Sequence, residues 1–133
     1  MNEQKRHLRE KGECDYDFVH DILFFKVKNR QYEKSIEIGN MVVDIDSESF
    51  IVGLQIFEAS KYFVIPKNYI RAVTNWRLET SSEQISETKS RLEIRLMFQV
   101  KIRNRIVQPR PIITENVNDQ LEDSVMVCVP ARK

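Results

Sequence analysis

Apolar and polar residues alternate over much of the chain, and that period of two predicts strands. The clearest run is Leu92, Ile94, Leu96, Phe98, Val100 and Ile102, which predicts one long strand with a single apolar face. Ile22–Lys28 (ILFFKVK) is aromatic and β-branched and reads as a buried strand. Ser35–Ile38 and Met41–Asp46 flank Gly39-Asn40, a two-residue turn suited to a hairpin. Phe50–Phe57 follows the polar turn Ser47-Glu48-Ser49. Links this short cannot carry parallel crossovers, so the four strands predict an antiparallel meander.

At Glu58 the alternation stops. Glu58–Phe63 predicts one helical turn, limited by Pro66, because the residue before proline avoids the helical region. Pro66 is placed to open a second short helix over Lys67–Thr74, with Tyr69, Ile70 and Val73 on one face. Trp76–Thr80 alternates again, and 81–90 fits either a continued strand or a polar turn. Beyond the long strand, Asn104-Arg105 reads as a turn. Pro109 and Pro111 confine Ile106–Ile113 to an edge or extended segment. Asn116–Asp123 reads as an acidic loop and Val125–Val129 as the last strand. The fold class is therefore α+β, predominantly antiparallel β: an N-terminal meander, a short helical segment, then a second antiparallel set. Residues 1–13, charged throughout, predict a flexible segment ahead of one domain at 14–133, divided into 14–63 and an extension at 64–133.

Composition narrows the chemistry. Of 133 residues, 41% are hydrophobic and 31% charged, the profile of a globular chain and not of a disordered or membrane one. Lys and Arg total 21 against 20 acids, which argues against a uniformly basic nucleic-acid coat. The first residues lack the apolar core of a secretory signal and no run is long enough to span a bilayer, so a cytoplasmic protein without membrane partners is expected. Cys14 and Cys128 lack CxxC partners and are expected to be reduced and non-catalytic. His7 and His20 have no further ligands at metal-binding spacing, and no phosphate-loop, nucleophile-elbow or zinc-protease motif is present. Asp44-Ile45-Asp46-Ser47-Glu48-Ser49 has the alternating oxygens of a calcium loop. Yet Ser49 stands where glycine is needed, and Gln55 where a bidentate glutamate is needed. Neither a catalytic residue, a metal nor a cofactor is expected.

Arg91, Arg95, Lys101, Arg103 and Arg105 form the candidate anion or nucleic-acid contacts, most of them on the polar face of the long strand. Phe98 points to the opposite face, which removes the aromatic stacking partner that single strands favour. Glu79, Glu83 and Glu87 offer a competing fate. An antiparallel return would set Glu87 beside Arg91 and Glu83 beside Arg95, neutralising the face.

Tyr16-Asp17, Asp21-Ile22-Leu23-Phe24-Phe25, Ser35-Ile36-Glu37, Val42-Val43-Asp44-Ile45-Asp46, Ile51-Val52-Gly53-Leu54 and Ile56-Phe57-Glu58-Ala59-Ser60 follow one another in a recognisable order and spacing. This pattern resembles the prokaryotic Domain of Unknown Function 2283 family, as a longer member with a C-terminal extension. The resemblance implies a small β-rich cytosolic fold without established activity, and a toxin–antitoxin-like partner role for some short members. Ser49 replaces a turn glycine of that pattern, and Gln55 a glutamate. A lesser similarity, Val43-Asp44, Ile51–Leu54 and Ile65-Pro66 to ribosome-maturation barrel modules, counts only if the sheet closes into a barrel.

These readings converge on a non-enzymatic protein-interaction module. It would self-associate or bind a protein partner through a sheet edge or the Tyr62-Phe63 region. Nucleic-acid binding by the basic strand is the alternative. Catalysis by Asp17, Asp21 and Asp44 is a third option and would need a concave pocket.

Overall fold

Alternating segments become strands because only a pleated sheet places every second residue on one face. The computed structural model describes residues 7–130. In chain order its elements are β1 (His7–Asp17), β2 (Ile22–Val27), β3 (Lys34–Ile38), β4 (Met41–Ile45), β5 (Ile51–Phe57), α1 (Ala59–Phe63), α2 (Lys67–Ala72), β6 (Trp76–Gln84), β7 (Ser90–Phe98), β8 (Val100–Ile102), β9 (Arg105–Val107), β10 (Ile112–Val117) and β11 (Asp123–Pro130). Nine strands form one sheet in the order β10-β7-β6-β11-β1-β2-β5-β4-β3, and β8 and β9 form a separate hairpin. The fold is β-dominated α+β, as the alternation predicts. Within the first half, β3, β4 and β5 follow as a meander, while β2 lies beside β5 and not beside β3. That is a Greek-key connection.

One apolar core serves both halves. Leu23, Phe25, Val43, Ile45, Leu54 and Ile56 meet Trp76, Leu78, Leu92, Ile94, Leu96 and Met126 inside the curled sheet. Neither half buries its inner face without the other. The two halves join where β1 pairs with β11, the parallel ladder in a sheet whose other pairings among the described residues are antiparallel. Gly12 makes that junction possible. A Cβ there would lie 2.6 Å from Cys128 Sγ, 2.8 Å from Met126 Cγ and 2.9 Å from the Lys26 carbonyl.

The sheet's free edges, β3 and β10, approach each other without pairing. Residues 36–39 face 115–119 across a cleft of about 340 Å³. An ion pair between Lys34 and Asp119 links the two sides, as does a 2.9 Å bond from the Glu122 N–H to the Ser49 carbonyl. The sheet stays open, so the condition set for the barrel similarity is not met. Ser49 sits at φ +70, a conformation that favours glycine. In the Gly39-Asn40 hairpin, Gly39 takes the positive φ of +58 that a type II′ turn requires of its first central residue.

Four expectations need correction. Residues 7–13, expected to be flexible, belong to β1 near the middle of the sheet, while residues 1–6 lie outside the described residues. The long strand stops at Phe98, because its neighbour β6 begins at Trp76, directly opposite, and Gln99 onward has no strand to pair with. Val100–Ile102 instead peels off to pair with Arg105–Val107 around a turn at Arg103-Asn104, one residue earlier than expected. The turn between β6 and β7 spans Ile85–Lys89, so Glu83 stands opposite Arg91 and Glu79 opposite Arg95. That register is shifted by four residues from the one expected.

Candidate functional site

Asp21, at the end of the β1–β2 turn, is a buried and heavily bonded carboxylate of the N-terminal half. It adopts φ +58 and is 7% exposed. Its Oδ1 accepts the Tyr16 hydroxyl at 2.5 Å, its Oδ2 accepts the Ser60 hydroxyl at 2.6 Å, and the Ser60 N–H reaches both oxygens at 3.0 and 3.2 Å. The Asp21 carbonyl accepts the Ala59 N–H at 3.0 Å. Asp21 thus satisfies the N-terminal donors of α1, whose own preceding residue, Glu58, offers no side-chain cap. Burial opposes its charge, but the hydroxyl and N–H donors outweigh that and hold the carboxyl below its ordinary value. Burial and the Asp21 carboxylate push the Tyr16 phenol upward.

Around this knot lies a surface corner. Lys67 Nζ donates to the Phe18 carbonyl at 3.1 Å, and the Arg71 guanidinium lies 4.4 Å from the Phe18 ring centroid. Asp17 accepts the His20 N–H at 3.0 Å and meets its Nδ1 at 2.8 Å, bonds that lower the Asp17 carboxyl. At this corner Val19 is 78% exposed and Val64 86%. Val64 ends α1 in the left-handed region at φ +57, which a β-branched residue rarely adopts. Of the expected interface pair, Tyr62 remains at the surface. Phe63 turns inward, 6.0 Å from Trp76 and 5.4 Å from Phe98, and so belongs with the core. Sequence reasoning missed Val64. The available signal was a helix stop before Ile65-Pro66 with no glycine to make it.

The acidic residues do not gather at one centre. Asp17 pairs with Ile22 at one end of β2, whereas Asp44, two strands beyond β2, lies in the row of Lys26 near the other end. In the calcium-like run, Asp46 Oδ1 accepts the N–H groups of Glu48 and Phe50, each at 2.9 Å, and Oδ2 accepts Arg30 at 2.6 Å. It closes a turn. Among the described residues no group of three or more His, Cys, Asp or Glu is arranged to hold a metal.

The five candidate cations do not share one face. Arg91 lies 3.8 Å from Glu83, and Arg95 lies 3.1 Å from Glu93 and 3.7 Å from Glu79, all on the outer face of the large sheet. Lys101, Arg103 and Arg105 stand exposed on the β8–β9 hairpin. Cross-strand glutamates therefore occupy the two arginines that a strand-tracking phosphate would meet first.

Both cysteines are free and buried. Burial, with the neighbouring Asp15 charge, pushes the Cys14 thiol up to about 11, and burial and Cys14 push Cys128 up to about 12. Neither thiol is expected to react with iodoacetamide at mildly alkaline pH in the folded protein, and both should react in urea. Mass spectrometry of the adducts checks this; rapid labelling of the native chain would refute it.

The model of a protein family of unknown function, DUF2283, matches residues 14–60. A protein of Methanosarcina mazei named "Putative hypoxanthine phosphoribosyltransferase" is 33% identical over 95 residues, 70% of this chain and 72% of that protein. An uncharacterized protein of Methanocaldococcus jannaschii is 30% identical over 57 residues, 43% of this chain and about half (49%) of its own length. No solved structure matches. No helix among the described residues is long and apolar enough to cross a membrane. The quoted residues of the first half, the strands they build and the matched segment agree: the chain belongs to the DUF2283 family of proteins of unknown function.

Proposed function

We propose that this protein is a non-enzymatic protein-interaction module that engages a protein partner, or a second copy of itself, through the corner formed by the β1–β2 turn and the end of α1. Val64 carries the reading. It is β-branched, strained at φ +57 and 86% exposed, so the fold sustains two costs at a position that packs nothing in the monomer. Val19, Phe18 and Tyr62 add apolar surface, and Lys61, Lys67 and Arg71 flank it.

Val64→Gly and Val64→Asp test the proposal. The glycine variant is expected to be more stable by about 1 kcal/mol, because it removes the left-handed strain. Both variants should associate more weakly than the parent when light scattering follows size exclusion at increasing concentration, or should capture less of a defined partner. A parent that stays monomeric and captures no protein that Val64→Asp fails to capture would sink the idea. Oligonucleotide binding that falls steeply with salt would instead favour the exposed cations of the β8–β9 hairpin.

A further inference from the structure

A cleft of about 820 Å³ opens on the outer face of β2, β4 and β5, beside the β2–β3 loop. On this face Gly53 of β5 pairs with Lys26 of β2 on one side and Asp44 of β4 on the other. Adjacent strands lie roughly 4.8 Å apart, so the Lys26 and Asp44 backbones stand about 10 Å apart, with no side chain on the residue between them. The Asp44 carboxylate leans into that gap, since a methyl group on Gly53 would stand 2.7 Å from Oδ2. The Ser35 hydroxyl holds the other oxygen at 2.6 Å.

The wall is fixed before any ligand arrives. Arg30, on the loop, donates to Asp46 at 2.6 Å and to Glu48 at 2.8 Å, and its guanidinium lies 5.2 Å from the Phe50 ring centroid. The Glu33 N–H bonds the Ile45 carbonyl at 2.8 Å, anchoring the loop's far end. Of the cations lining the cleft, Arg30 is thus engaged and Lys28 pairs with Glu13 at 3.1 Å. Lys26 is left without an ion pair among the described residues. Phe24 and the exposed Tyr32 supply rings, and Gln55 an amide. Every lining residue falls within the segment, 14–60, that defines the family match.

We propose that this cleft binds a small zwitterion carrying a flat ring, of the aromatic α-amino-acid class. Its carboxylate would sit on Lys26 Nζ, its ammonium on Asp44 Oδ2 above Gly53, and its ring against Phe24 and Tyr32. Lys26 and Asp44 form no ion pair with each other among the described residues, and a zwitterion bridging them satisfies both. A purely anionic ligand would meet the Asp44 carboxylate, and a purely cationic one the Lys26 ammonium. A preformed wall lowers the ordering cost that a small ligand must overcome.

The test is a nuclear magnetic resonance titration of the full chain with L-tryptophan, L-tyrosine and L-phenylalanine, repeated on Lys26→Gln and Asp44→Asn. At least one amino acid should shift the amides of the β2–β3 loop, Lys26, Gly53 and Gln55. Each variant should weaken that binding by about tenfold, with unchanged spectra elsewhere reporting an intact fold. 3-Phenylpropionate, which lacks the ammonium, and phenethylamine, which lacks the carboxylate, should bind at least about tenfold more weakly than phenylalanine. No cleft shift with any of the three amino acids, equal binding by the variants, or equal binding by either truncated probe would overturn the proposal. None of these outcomes bears on association through Val64, so the two readings stand or fall separately.

Discussion

Replacing Asp21 with alanine is expected to cost about 4 kcal/mol of folding stability, a large share of the roughly 5–15 kcal/mol that a domain of this size possesses. The change removes the acceptor of the Tyr16 and Ser60 hydroxyls and the Ser60 N–H, and leaves those donors facing a gap. It also forces alanine into a left-handed backbone at φ +58. Asp21→Asn keeps a residue that tolerates this conformation and should lose about half as much. The pH dependence has a definite sign. Asp21 titrates lower in the folded than in the unfolded chain, so its contribution is complete above the unfolded carboxyl range near pH 4 and is lost as pH falls below it. Urea titrations at neutral pH and at pH about 3 should show the gap between parent and Asp21→Asn narrowing in acid. An unchanged gap would mean that the carboxylate charge does not hold the knot.

Trp76→Ala is expected to cost about 3–5 kcal/mol, the range for emptying a buried aromatic site. Trp76 is 1% exposed. Its ring lies 4.2 Å from the Phe98 centroid, 5.4 Å from Phe25 and 6.0 Å from Phe63, so it touches the second half, the first half and α1 at once. The expected result is one cooperative transition shifted to much lower urea, followed by circular dichroism because the indole is gone. Two separate transitions would contradict the shared core. Trp76→Phe should recover most of the loss, since a ring remains to meet Phe98 and Phe25.

Much of the sheet was legible from alternation, because β2, β4, β5 and β7 bury one side mostly with large aliphatic or aromatic residues, and β6 opens with the buried Trp76 and Leu78. β1 escaped for a steric reason. Its inward series contains Leu8, Gly12 and Cys14, and position 12 must stay bare because Met126 and Cys128 occupy the space. To a reading of hydrophobicity such a strand looks like a charged tail. The break after Phe98 escaped because the apolar alternation continues through Val100 and Ile102 while the neighbouring strand ends. The corner was visible only as the aromatic pair Tyr62-Phe63. Asp21 gains its role from Ser60, 39 residues away, and Lys26, Gly53 and Asp44 become neighbours only once the register of three strands is known.

The parallel ladder between β1 and β11 bears on synthesis as well as on shape. Leu8 pairs with Ser124, so the contact order of the central seam spans nearly the whole described chain. On a ribosome, the segment up to Phe57 emerges with β1 lacking its second neighbour, and the β6–β7 hairpin follows in the same condition. β11 then slots between two waiting strands, and until it does, the nascent chain presents two unmatched edges to its surroundings. Nonsense or frameshift lesions ahead of Asp123 would therefore remove a central strand rather than trim a border.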